Sequence, residues 1–167
     1  PWEQGAKALS GDELKRREAW QKRFMPSGAM VAGQVDTLHW MSFGSSEMLP
    51  LLYENQPALM TKGSQQAVVR VGVMTEDPNA REAQAINWST VPEGHALTVR
   101  MSGLIWPEAA SRIANSAYVT RERVGKGQVI LFSGQPNFRG STRGVGRIWL
   151  NALVYGAGLG TSAKVAL

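Results

Sequence analysis

Apolar residues follow a helical rhythm near the start of the chain, a strand-like rhythm through its middle and a helical one again near its end. Ser10 and Glu13 fit an S-x-x-E capping box, in which the two residues satisfy each other's free groups at a helix start. Leu14, Ala19, Trp20 and Phe24 then form a narrow apolar stripe, Glu13 to Arg17 and Glu18 to Lys22 pair at four-residue spacing, and Pro26 stops the run. This predicts a helix over 11–24, so rich in charge that it lies on the surface of something larger. From Gly28, short apolar runs between turn residues predict strands over 30–35, 58–61, 68–74, 97–101, 118–124 and 129–132. The last two flank Gly125, Lys126 and Gly127, whose glycines accept the positive φ of a tight hairpin. Residues 75–95, with EDPN and PEGH, read as loop with a short turn of helix. Pro107 and Glu108 suit the first turn of a helix over 107–115, with Ile113 and Ala114 inward. A final helix follows a cap at Ser141 or Thr142, turns Val145, Ile148, Trp149, Ala152 and Leu153 inward and stops at Gly156, with Arg143, Arg147 and Asn151 on its other face. The elements amount to an α/β fold, a mixed sheet flanked by helices. A helical segment (1–27) precedes the α/β domain (28–160) and a tail (161–167).

Composition narrows the picture modestly. The 167 residues, 43% of them hydrophobic, suit one core. No apolar run reaches the roughly 18 residues of a membrane-spanning helix, and Pro1 in place of an initiator methionine reads as a fragment or processed product. The absence of cysteine excludes disulfides, thiolate metal sites and a cysteine nucleophile. The net charge of +5 is concentrated in residues 112–147, which hold seven Lys or Arg and a single acid. That block could attract a polyanion, but no recognition motif accompanies it, which disfavours nucleic acid.

The stretch GKGQVILFSGQPNFRGSTRG, residues 125–144, invites comparison with a phosphate-binding loop. The order is wrong, because Lys126 precedes the strand and no lysine directly follows Gly134 or Gly140. GSTRG has the outline of a nucleophile elbow around Thr142, yet it does not directly follow its strand, and both histidines lie earlier in the chain. A zinc site fares no better: His39 and His95 are the two histidines, neither followed by a carboxylate at i+3 or a second histidine at i+4, so no metal ligand is assigned. Asp36, Glu47, Glu54 and Glu108 could converge as a hydrolytic carboxylate pair, though their spacing does not favour it. The loop QPNFRG at the carboxyl end of a strand is where α/β sheets present ligands. Arg139 there suits a carboxylate or phosphate, with Asn137 beside it and Arg143 following. Trp106 and His39 complete the candidate binding set.

The run SGLIWPEAASRIANSAYVTRERVGKGQVILFSGQPNFRGSTRGVGRIWLNALVYG, with DTLHWMSFGSSEMLPLL before it, resembles the region after the catalytic domain of bacterial zinc carboxypeptidase-like proteins. There it is similar to a class I glutamine amidotransferase-like, flavodoxin-like domain. The resemblance spans about 28–160, carried by SGxxWPE, GKGQVILF, PNFRG and LNAxxxG in order. It implies a metallocarboxypeptidase whose zinc, held by an HxxE pair and a distant His, lies in a separate upstream domain, with no cofactor in this chain. Amidotransferase chemistry would need a cysteine, so the likeness extends to fold alone. The expected role is a non-catalytic accessory domain, periplasmic or extracellular. The alternatives are a polyanion or cell-wall-polymer binding module using Arg121, Arg123, Arg139, Arg143 and Arg147, or an independent carboxylate-dependent hydrolase. Partners implied are the upstream peptidase domain, the missing N-terminal half of the domain, or a second copy. An amidotransferase-like sheet without its first strands should be incomplete, with the helix over 11–24 packed beside the gap through Trp20 and Phe24.

Overall fold

The capping box forms as the sequence suggests. In the computed structural model, which describes residues 10–159 save for 62, 87 and 88 and the side chains of 17, 21 and 89, Ser10 N–H donates to Glu13 Oε2 at 2.8 Å and Glu13 N–H to Ser10 Oγ at 3.3 Å. These bonds open α1 (Gly11–Lys22) and hold the Glu13 carboxyl below its ordinary pKa. The proposed Glu13 to Arg17 pair and the tail (161–167) lie outside the described residues. Every described side chain of α1 is exposed, so the helix does not cover the sheet. Its attachment is aromatic: Trp20 meets Phe24 edge-on at 4.6 Å and Phe24 meets Trp106 at 5.9 Å.

The sheet runs through β1 (Ser27–Val35), β2 (Met48–Glu54) and β3 (Gln66–Val71), the short β4 (Val73–Glu76), β5 (Gln84–Ile86), β6 (Ser89–Val91), β7 (His95–Thr98) and β8 (Arg100–Ser102), then, after α2 (Pro107–Ile113), β9 (Ala117–Val124) and β10 (Gly127–Phe132). The main sheet has the order β10-β9-β3-β1-β2, with β8 also paired to β1; β4 pairs with β7 and β5 with β6. The fold is mixed α/β, but the sheet is antiparallel and curled, where a mixed sheet was expected. Parallel pairing among the described residues shrinks to the bridge between Gly33 and Gly72. The cause is connectivity: consecutive strands of the main sheet, β1 to β2 and β9 to β10, return alongside themselves, which pairs them antiparallel.

Several boundaries move. The run over 58–61 contributes a single bridge, Leu59 to Ala117, and 68–74 is cut at Gly72, whose N–H reaches Ala32 O at 2.7 Å. The run over 97–101 is likewise cut at Val99, whose carbonyl accepts from Ala32 N–H at 2.8 Å. Thus Gly72 and Val99 complete the middle of β1 between its contacts with β3 and β8. Residues 75–95, expected as loop, contain the β5–β6 hairpin and the ends of β4 and β7. The β9–β10 turn places Gly125 at φ 57, the positive angle that a two-residue hairpin loop requires there.

Both faces of the central strands are covered, as neighbouring residues Val68 and Val69, and Tyr118 and Val119, are all essentially inaccessible. They join Val31, Leu51, Met41, Ile113, Val145 and Ile148 in one apolar cluster. The helix α3 (Arg143–Leu159) packs on β2 and on the 3-10 turn Trp40–Ser42. Gly144 permits this, because a Cβ there would run into Leu49. α3 also continues past the expected stop at Gly156, Leu153 faces outward instead of inward, and Asn151 is buried at the inner side rather than sharing the outer face with Arg143 and Arg147.

Candidate functional site

The loop between β10 and α3 is shaped by its backbone. After Ser133 N–H donates to Tyr118 O at 2.9 Å, Gly134 passes so close to Tyr118 Oη that a Cβ would lie 2.6 Å from it. A 3-10 turn, Phe138–Gly140, then reverses the chain with two successive left-handed residues, Arg139 at φ 47 and Gly140 at φ 64. Arginine in this region carries a cost of about 1–2 kcal/mol. Its guanidinium lies over the Phe138 ring at 5.1 Å. Ser141 Oγ turns back to donate to Phe138 O at 3.0 Å instead of capping α3, and Thr142, buried, accepts Gly146 N–H at its carbonyl at 3.1 Å.

Between this loop and the first half of α3 opens a cleft of about 360 Å³. Asn137 and Arg143, two of the sequence candidates, line it together with Arg147, Trp149 and Leu150. Arg139 sits between two lining residues, Asn137 and Gly140, without lining the cleft itself. Trp106 and His39 are placed elsewhere. Trp106 stands before α2 against Phe24, while His39 is buried at the start of the 3-10 turn, where its Nδ1 accepts Met41 N–H at 3.2 Å. Burial lowers the His39 pKa below its ordinary value, with Asp36 and Gln66 opposing and Arg121 assisting.

The carboxylates considered for acid–base work do not share a site. Glu47 and Glu54 bracket opposite ends of β2, about 23 Å apart for an extended strand. Asp36 accepts Leu38 N–H within its own turn, Glu108 lies in the first turn of α2, and all four are exposed. Among the described residues, no three His, Asp or Glu side chains gather closely enough to hold a metal ion. A second hollow of about 280 Å³ lies between Leu59, Met60 and Gln65 and the β9–β10 hairpin. Its acid, Glu122, already accepts Gln65 Nε2 at 2.7 Å and Ser64 Oγ at 3.3 Å.

Two polar junctions escaped sequence reading. Asn151 Nδ2 donates to Met41 O at 2.8 Å and Phe43 O at 2.9 Å, tying α3 to the 3-10 turn. Gln128 accepts Arg121 Nε at 2.8 Å and donates to Gly156 O at 2.7 Å, tying β10 to α3. A polar residue inside an apolar helical run was the available signal for Asn151; Gln128 offered none. A third group, Tyr53 and Tyr118, has phenol pKa values pushed up to about 12 by burial.

No family model matches this chain, and neither curated proteins nor solved structures give a significant match. Among the described residues, no helix is long and apolar enough to cross a membrane.

Proposed function

We propose that this chain is a non-catalytic accessory domain of a zinc carboxypeptidase-like protein, similar to the later part of a class I glutamine amidotransferase-like domain. The observation that carries the reading is the ordered set SGxxWPE, GKGQVILF, PNFRG and LNAxxxG. The positions of these motifs support an architectural meaning for them. Pro107 opens α2, Gly125 shapes the hairpin, Gln128 and Asn151 dock α3, and Gly140 turns the chain into that helix. Such roles specify packing and require no reacting atom. Surface chemistry supports attachment to a larger body: Leu153, Val154 and Leu159 on α3 are each more than half exposed, and Val129 and Leu131 project from the border strand β10.

The zinc and its HxxE ligands belong, on this reading, to a separate upstream domain. The coding frame upstream, translated and expressed, tests it. The expected result is an HxxE pair, a distant His and a catalytic Glu, with one zinc bound by the joined protein and none retained by this chain after chelator washing. An upstream frame without that ligand set, or tight zinc in this chain alone, would overturn it.

A further inference from the structure

We infer that the cleft between the Phe138–Gly140 turn and α3 is a binding site for a small organic anion, a carboxylate or phosphate carried on an apolar, ring-bearing body. The inference is independent of the accessory-domain reading. Its first basis is uncompensated charge. Arg143 and Arg147 stand one turn apart in the first half of α3, both exposed, and neither forms an ion pair or hydrogen bond with any described residue. Like charges at this spacing repel, and cations near a helix N-terminus oppose its dipole. No Asp or Glu follows Glu122 in the sequence, so no acid along α3 relieves either cost. An anion between the two guanidiniums relieves both.

The second basis is preparation of the site. Arg147 lies across Gly44, where its Nη1 comes within 3.1 Å, and its Cδ within 3.6 Å, of the position a Cβ would take. The guanidinium is therefore held against the backbone by packing, without spending its donors on a protein acid, and its planar fork remains available for an oxyanion. Asn137 adds a side-chain amide, and the loop that presents it is kept reversed by Arg139 in a costly left-handed conformation. Trp149, half-buried, and Leu150 supply the apolar wall.

Size and geometry favour a small ligand over a polyanion. A cleft of about 360 Å³ is within the range that encloses small molecules. Arg121, which a polyanion track would need to recruit, is occupied by Gln128 at 2.8 Å and Gln66 at 3.2 Å.

The experiment is an NMR titration of the full chain, following the Trp149 indole N–H and the Arg143 and Arg147 side-chain N–H signals. Four probes are added separately: N-acetyl-phenylalanine, its neutral amide, phenyl phosphate and a heparin oligosaccharide. The expected result is saturable shifts at these signals with either or both small acids, the stronger one naming the natural head group, and weak or no shifts with the amide. Arg143→Gln and Arg147→Gln, made separately, should each weaken binding about tenfold, near 1.4 kcal/mol. Arg121→Gln should not weaken it. Equal shifts from the acid and the amide, no saturable response to either small acid, or heparin binding lost in Arg121→Gln while both small acids fail, would each overturn the inference. Because the two arginines are exposed and substituted one at a time, an unfolded variant in one case leaves the other decisive.

Discussion

Asn151 shows how one side chain can decide whether a helix docks. Its two donated hydrogen bonds satisfy the Met41 and Phe43 carbonyls at the end of the 3-10 turn, and nearby Ile148 and Val145 are fully buried. Asn151→Ala leaves those carbonyls without their donor and should cost about 1–3 kcal/mol in chemical unfolding, far more than a change at exposed Leu153. A loss no larger than that at Leu153 would mean water replaces the amide freely. His39 sets a pH dependence. The unfolded chain protonates His39 near its ordinary 6.5, whereas burial lowers the folded value. The stability involved is fully present above pH 6.5 and declines as pH falls below it, through the lowered folded value. His39→Asn, which keeps an acceptor for Met41 N–H, should flatten the slope of unfolding free energy below that pH; an unchanged slope would assign it to other groups. Asn151 and His39 differ in legibility for a physical reason. A buried polar residue in a helix is visible as a break in the apolar stripe, but whether it faces in or out depends on whether the fold brings free carbonyls to it.

Among the elements, the local ones were legible. The β9–β10 hairpin follows from two apolar runs around Gly125 and Lys126, and α1, α2 and α3 from caps, proline and apolar spacing. β2 was missed although Leu49, Leu51 and Tyr53 alternate inward, because Pro50 in the middle argues against a strand unless it lies on a border, as β2 does. The β5 and β6 strands have three residues each, too few for a period to register. The antiparallel order of the whole sheet was not legible, because pairing partners are chosen by long-range packing. Two substitutions test the element account. Gly144→Ala pushes a methyl into Leu49 at the contact of α3 with β2 and should cost about 1–3 kcal/mol. Ala19→Pro breaks α1 yet should change global unfolding by less than about 1 kcal/mol, since an exposed segment with few contacts opens at little cost. A loss of several kcal/mol would show that α1 shields the sheet after all, as the sequence had suggested for Trp20 and Phe24. In the structure Trp20 is 57% exposed, and the half-buried Phe24 meets the Trp106 ring.

On the scale of the whole molecule, acids and bases are segregated and apolar surface is left open on α3 and β10. Of the sequence candidates, Asn137 and Arg143 meet at the cleft because both flank the same reversal of chain, a relation visible from spacing. Arg147 and Trp149 completed the cleft only once the helix was set against the loop. Alkaline pH should expose the core's dependence on neutral phenols. Tyr53 and Tyr118 ionise at about 12 when folded against an ordinary 10.0, so the stability linked to them is full below pH 10 and is lost as pH rises toward 12. Ultraviolet titration showing both phenols ionised near pH 10 in folded protein would contradict their burial. The central claim, an accessory domain serving a zinc carboxypeptidase-like partner, is tested most directly by turnover. Release of the C-terminal residue from a blocked dipeptide is measured for the joined protein, for its upstream domain alone and for this chain alone. The account predicts zinc-dependent release by the joined protein, reduced rate or thermal stability when this chain is removed, and no release by this chain. Release by this chain alone, or an upstream domain indifferent to its removal, would contradict it.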